Sequence, residues 1–543
     1  MGLATIDLVV VIAYAIGIFG LAQYVSRDKG GREKDSSDYF LASKSLPWWA
    51  IGASLIAANI SAEQIVGMAG SGYAIGLAIA SYEWMAALTL LIVGKFFLPI
   101  FLRNQIYTMP QFLEQRYGPS IRTLMAVFWL ALYVFVNLTS IIWLGSIAVN
   151  QVAGVDQTVA LVGLGLFALL YQIRGGLKAV ALTDIVQVTL LVFGGLCVSA
   201  LTLSQIGGEG GILGGFAELT RRAPEKFDMI LSPDNPFYKD LPGISVLVGG
   251  MWIANLSYWG FNQYIIQRAL AAKNLGEAQK GIVFAAYLKL VMPLVIVLPG
   301  IAAVLLAPDL AKPDQAYPTM LQLLPSGLLG LVFAALVAAI VASTASKINS
   351  IATIFTLDLY AKRRGVRSRA EDAAGDGSEE RRLVRVGRIA ASVSILIAIV
   401  AARPLLGGAD QAFQFIQEFS GFFTPGITVI FLLGLFWKRA SEAGAITAAI
   451  ASVALSVVFW FDWNGVPALS GLAALNAIPF MNRMLIVFFA SLVLAMLVSV
   501  ARPAGAEANR IQSGDVDYHT TASFNVAALG VVLILIALYA TWW

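Results

Sequence analysis

Two short polar tetrapeptides interrupt apolar runs far apart in the chain. They are Ala58-Asn59-Ile60-Ser61, within 51–72, and Ala254-Asn255-Leu256-Ser257, within 243–266. An Asn and a Ser in mid-run bring amide and hydroxyl groups, and an unwound turn there adds free carbonyls and N–H groups. In hydrocarbon, such backbone is tolerated only where it faces protein or a water-filled cavity. Polar breaks at matching points of two halves point to a mid-membrane binding site for a cation and a polar solute. Close packing of helices through small residues is the competing explanation of the same tetrapeptides.

Other polar side chains share these apolar runs. Glu63 and Gln64 follow the first tetrapeptide, and Asn262 and Gln263 follow the second. Glu83, Lys289, Lys347, Gln417 and Glu418 stand inside further runs. Ionisable groups within a membrane are costly and are usually retained for function. Individually, each has a structural alternative: Lys289 could snorkel to the inner interface, Glu83 could reach outer headgroups, and Glu63 and Glu418 could tie neighbouring helices together. Asp184, in Thr183-Asp184-Ile185-Val186-Gln187, has the spacing of a helix cap. As a set, Gln64, Glu83, Asn255, Lys289 and Gln417 offer both donors and acceptors. Tyr258, Tyr82, Phe413 and Trp259 offer flat apolar faces close to them in sequence. A sugar, with its rim of hydroxyls and its C–H face, has that mixed character.

The elements that must carry these groups follow from composition. The 543 residues are 59% hydrophobic and 13% charged, with mean hydropathy +0.79, against about 25% charged for a soluble domain. Fourteen runs are long enough to span a bilayer, at about 20 apolar residues each: 6–26, 49–71, 79–101, 121–150, 157–172, 182–204, 243–266, 280–307, 326–360, 384–403, 413–437, 442–463, 480–501 and 523–542. The fold class expected is therefore an all-α integral membrane protein of about 14 transmembrane helices. The first run has no basic residues before it and Arg27, Lys29, Arg32 and Lys34 after it. That pattern argues against a cleaved signal peptide and places the N-terminus outside. Alternation then puts Arg103, Arg116, Arg174, Arg268, Lys438 and the run Lys362-Arg363-Arg364 on the inner side, and both termini outside. The net charge of +4 thus reflects topology, and no nucleic-acid partner is expected. Cys197 is the single cysteine and His519 the single histidine. No catalytic triad, metalloprotease helix or phosphate loop is found, so an enzyme is not expected.

The stretches 51–76 (IGASLIAANISAEQIVGMAGSGYAIG), 80–84 (ASYEW), 252–268 (WIANLSYWGFNQYIIQR), 281–289 (GIVFAAYLK) and 411–417 (QAFQFIQ) resemble the sodium:solute symporter family. The resemblance runs over essentially the whole chain and is closest to bacterial sugar-carrying members. It implies a leucine-transporter-like core of two inverted five-helix repeats, 49–204 and 243–437, separated by an outer loop, 205–242. An N-terminal helix and cytoplasmic loop (1–48) come before the core, and three C-terminal helices (438–543) follow it. It also implies symport of Na⁺ with a monosaccharide such as galactose or glucose, across a bacterial inner membrane, by alternating access. Sugar contacts are implied at Gln64, Glu83, Asn255, Lys289 and Gln417, flanked by Asn59 and Ser61, with Tyr258 stacking on the ring and closing the inner side. Met68, Tyr82 and Phe413 match the outer gate. Na⁺ ligands are implied at Ala57, Ile60, Ala339 and Ser343, and an ion-exit role at Asp184. Three departures stand out. Ala342 lacks the hydroxyl usual there, which Thr344 or a water would have to replace. Lys347 stands where an apolar residue is usual, and would either compete with Na⁺ or point to the inner solvent. Ser257 replaces a tyrosine beside Tyr258. An H⁺-coupled or inositol-type carrier of the same fold, and a sugar sensor that does not transport, are the alternatives. A homodimer is left open.

Overall fold

The computed structural model describes residues 2–26, 46–106, 108–174, 177–362, 377–461, 463, 472–503, 511 and 516–543. Among these residues every regular element is a helix, and the one β contact is an isolated bridge between Leu46 and Ala272. A helix satisfies all its backbone hydrogen bonds internally, which is what a chain this apolar requires in lipid.

Among the described residues nine helices are long and apolar enough to cross a membrane, and two bent pairs bring the number to eleven. Two shorter apolar helices lie at Thr5–Ile18 and Gln157–Gln172. Of the fourteen expected runs, the one at 243–266 departs most. It is divided into Ser245–Val248, Gly250–Phe261 and Gln263–Leu270. The expected outer loop 205–242 is also partly helical: Leu177–Gly207 runs into it, and Gly211–Arg222 folds back against that helix.

The two bent pairs matter most for the site. Trp48–Asn59 ends at Ile60, whose extended ψ of 115° stops the helix, and the chain resumes at Glu63 with a 68° change of direction. It resumes as a wide π-helical turn, Glu63–Met68, a geometry frequent at functional sites. Ala412–Ser420 and Thr424–Phe436 meet at 46°. The second tetrapeptide behaves differently from its sequence reading. Asn255 and Ser257 sit inside the unbroken helix Gly250–Phe261, and the Asn255 amide donates to the Met251 carbonyl at 3.1 Å. The break falls later, at Asn262, with ψ 122°.

Leu275–Leu306 forms the centre of the molecule, 72% buried along its most apolar window. It crosses the first broken helix in close backbone contact. A Cβ on Gly52 would lie 2.7 Å from the Gly281 carbonyl, and one on Gly300 2.1 Å from the Ala69 carbonyl. Only glycine permits such approach. Glu442–Trp460, Phe480–Ala501 and Ala522–Thr541 form the C-terminal end of the chain, and the last is largely uncovered along its apolar window.

Candidate functional site

Two neighbouring cavities share one wall, the first helix break. The larger, about 1030 Å³ including its open mouth, is lined by Asn59, Gln64, Met68, Tyr82, Glu83, Asn255, Ser257, Tyr258, Trp259, Lys289, Phe413 and Gln417 among others. The sequence had singled out each of these. Ser61 does not line it, but its hydroxyl donates to Gln64 Oε1 at 2.9 Å and receives the Glu63 N–H at 3.2 Å. Ser61 thus caps the resumed helix and orients Gln64.

A buried ion pair forms one side of the larger cavity. Lys289 is 1% exposed and its Nζ lies 2.6 Å from Glu83 Oε2. Lys289 also donates to Asn59 Oδ1, and its charge lies 4.9 Å from the Trp259 ring centroid. Neither interfacial alternative for these residues applies, because both are enclosed. The Asn59 amide donates to the Tyr258 hydroxyl at 3.1 Å, and that hydroxyl meets Tyr264 Oη at 2.6 Å. One polar chain therefore runs from Glu83 to Tyr264. On another side Tyr82 meets the Phe413 ring edge-on, centroids 5.1 Å apart, beside buried Met68.

Sequence reading passed over some of the lining. Tyr133 and Asn137 lie on apolar helix surfaces with no local signal, and the Tyr133 hydroxyl donates to Asn262 Oδ1 at 2.9 Å at the second break. Glu63, which the sequence had singled out, both ties helices together by accepting from the Ser140 hydroxyl and lines the cavity. Glu418 ties helices together as its structural alternative supposed, pairing with Arg483 at 2.7 Å.

The smaller cavity, about 410 Å³, is lined by Ala57, Ala58, Ile60, Ala339, Ala342, Ser343, Ser346 and Lys347, with Tyr264, Arg268 and Gln187. All four residues expected at an ion site are here. The helix end at Asn59 leaves its last carbonyls without the donors of a following turn, and the negative end of the helix dipole falls at the break. Together with the Ser343 hydroxyl, these oxygens suit a small hard cation. Thr344 does not replace the hydroxyl missing at Ala342. It is turned back onto the Ile340 carbonyl at 2.7 Å, and Ser346 lines the cavity instead. Lys347 does not reach the inner solvent. It is 4% exposed, with its Nζ 4.0 Å from the Tyr264 ring centroid. The side chain of Asp184 lies outside the described residues.

The helix carrying Phe413 and Gln417 is held at its start by Asp314, whose Oδ2 accepts from the Ala412 N–H at 3.2 Å. Asp314 lies in the connection between Leu275–Leu306 and Leu328–Thr353. Burial pushes its carboxyl up to about 7, against the opposing pull of the Ala412 amide and of Lys312.

Comparison with known proteins bears on the family and the fold. The family model described as Sodium:solute symporter family matches residues 39–452. The chain is 48% identical to the Sodium/glucose cotransporter of Vibrio parahaemolyticus, covering 100% of this chain and 99% of that protein. It is 34% identical to the Sodium/myo-inositol cotransporter 2 of Homo sapiens, over 84% of this chain and 70% of the relative. Among solved structures, the substrate-bound outward-open state of a Na⁺-coupled sialic acid symporter superposes with TM-score 0.73 at 21% identity. That match covers 92% of this chain and 98% of the other. A nucleobase-cation-symport-1 family transporter in a closed conformation gives TM-score 0.51 at 14% identity, covering 91% and 99%. At those identities the likeness speaks for the fold.

Proposed function

Since the chain belongs to the sodium:solute symporter family, we propose that it is a secondary active transporter, not an enzyme, that couples inward movement of Na⁺ to that of a monosaccharide. Glucose is the first candidate, from the full-length relative named for it, and galactose is the second. One observation carries the reading: successive residues of a single helix break face two different cavities. Asn59 faces the larger one, while Ala57, Ala58 and Ile60 face the smaller. A cation held by the carbonyls of Ala57, Ile60 and Ala339 and the Ser343 hydroxyl would fix the backbone that presents Asn59, and through Ser61 would fix Gln64. Each solute then binds better when the other is present, which is reciprocal coupling.

In this reading Gln64, Glu83, Asn255, Lys289 and Gln417 hydrogen-bond the sugar hydroxyls, and Tyr258 lies against its C–H face. Met68, Tyr82 and Phe413 close the outer side, Tyr258 closes the inner side, and Asp184 assists ion exit. The core is two inverted five-helix repeats, 49–204 and 243–437, within about 14 transmembrane helices, in a bacterial inner membrane with both termini outside. The helix breaks at Ile60 and Asn262, near the start of each repeat, support that division. A membrane potential supplies about 2.3 kcal/mol per charge per 100 mV, enough for one Na⁺ to sustain a tens-fold sugar gradient. The test is uptake of labelled glucose and galactose into liposomes holding the purified protein under an inward Na⁺ gradient. Accumulation above the external concentration, abolished by a Na⁺ ionophore, is expected. Equilibration alone, or accumulation driven only by a pH gradient, would overturn Na⁺ coupling.

A further inference from the structure

The smaller cavity carries a positive side chain of its own. Lys347 stands one helical turn beyond Ser343 and lines the same space. It is buried, and no ion pair of Lys347 is found among the described residues. What holds it is aromatic: its Nζ lies 4.0 Å from the centroid of Tyr264 and 5.8 Å from that of Tyr133. Glu63 attracts it from across the break, and Arg268, which donates to the Ser54 hydroxyl, shares the lining. An ammonium resting on ring faces is held more weakly than one in a carboxylate pair, and its four-carbon stem lets it move. Tyr264 is also the end of the polar chain through Tyr258 and Asn59 to Lys289 and Glu83. The missing hydroxyl at Ala342 and the added charge at Lys347 act in the same direction, since each disfavours a bound cation.

We propose that Lys347 is a tethered cation that competes with Na⁺ for the smaller cavity, and that Na⁺ entry drives its ammonium off Tyr264. The inference rests on the reading of that cavity as the Na⁺ site. Lys347 is a positioning residue: with the ammonium on the ring, Tyr264 is held against the Tyr258 hydroxyl. With the ammonium displaced, that contact is free to open toward the inner side. The Na⁺ affinity of the chain is accordingly set low, and ion occupancy is reported to the sugar cavity through one pair of rings. A second unit charge within the same cavity, at an effective dielectric of about 20, repels a bound cation enough to weaken its binding on the order of tenfold or more.

The experiment is direct binding of ²²Na⁺ to the purified full-length protein in detergent, without sugar. It compares wild type, Lys347→Met, Lys347→Arg and Ala342→Ser. Methionine matches the stem in length and suits the aromatic surroundings, and Lys347→Gln reads the same quantity should methionine not be accommodated. The expected result is half-saturation at least ~10-fold lower in Lys347→Met and near wild type in Lys347→Arg, with a smaller gain in Ala342→Ser. A neutral variant that folds, by its thermal midpoint, yet binds Na⁺ no more tightly than wild type overturns the competition while leaving Na⁺ coupling intact. Binding seen only in the neutral variant supports the competition and overturns Na⁺ coupling in the wild-type chain. No binding in any of the four overturns both.

Discussion

Replacing Glu83 by Gln tests the larger cavity most severely, because Glu83 neutralises an ammonium that has almost no contact with water. At 2.6 Å and an effective dielectric of about 20, the Coulomb attraction of the pair is about 6 kcal/mol. Several kcal/mol of desolvation per ion offset that gain, so the intact pair contributes little net stability. Removing one partner is another matter. The Asn59 carbonyl and the Trp259 face remain to Lys289, but neither neutralises its charge. Breaking such a pair typically costs about 3–5 kcal/mol. Glu83→Gln should therefore destabilise the protein by roughly that amount, and Glu83→Gln with Lys289→Met should recover most of it. Sugar binding should follow a different pattern. A hydrogen bond to a charged group contributes about 1.5–3 kcal/mol, so affinity should fall about 10- to 100-fold in the single variant and should not return in the double. Thermal unfolding of the purified protein and equilibrium binding of labelled glucose read the two quantities separately, and the cycle isolates the pair. A single variant as stable as wild type, or a double variant that regains sugar affinity, would refute the reasoning.

Gln64→Ala should raise the sugar concentration for half-maximal uptake about tenfold, the loss of one well-oriented hydrogen bond, with little change in stability. Normal uptake kinetics would remove Gln64 from the site. Asp314 should make stability pH-dependent. Its carboxyl titrates near 7 when folded and near 4 when unfolded, so between those values the folded state keeps a proton the unfolded state has lost. Stability therefore falls as pH rises through that window, by about 3 kcal/mol from pH 5 to pH 8, and Asp314→Asn should flatten the profile. Equal slopes in the two proteins would refute the assignment. Gly300→Ala places a methyl group within 2.1 Å of the Ala69 carbonyl and should cost about 1–3 kcal/mol, seen as a lower thermal midpoint.

Much of the larger cavity was legible because polar side chains in apolar runs are conspicuous. Asn59, Gln64, Glu83, Lys289 and Gln417 all line it. The first break was legible for a related reason: an Asn and a Ser stand in mid-run, and where the helix resumes the Ser61 hydroxyl does accept the Glu63 N–H. The second tetrapeptide misled because it copies the first in composition while its helix continues. Asn255 simply bonds back to Met251, and the turn falls at Asn262, where the partner is Tyr133, 129 residues away. No local pattern announces so distant a partner. Lys347 shows the same limit. Its sequence position allows either solvent or cavity, and the choice is made by the rings of Tyr264 and Tyr133.

The glycine contacts between the first broken helix and Leu275–Leu306 carry a mechanical consequence. They occur on both sides of the break, Gly52 with Gly281 in the half before it and Ala69 with Gly300 in the half after it. Backbone that close leaves no side-chain layer to shear, so the two halves of the broken helix are splinted to one strut despite the 68° bend between them. The angle between the halves is thus held, which leaves only the short turn between them for a cation to order. A membrane transporter still has to change shape, so its freedom must lie in elements outside the splint. The shorter 46° pair, Ala412–Ser420 and Thr424–Phe436, carries Phe413, whose ring meets Tyr82 edge-on. It is the natural moving jaw against a stationary one.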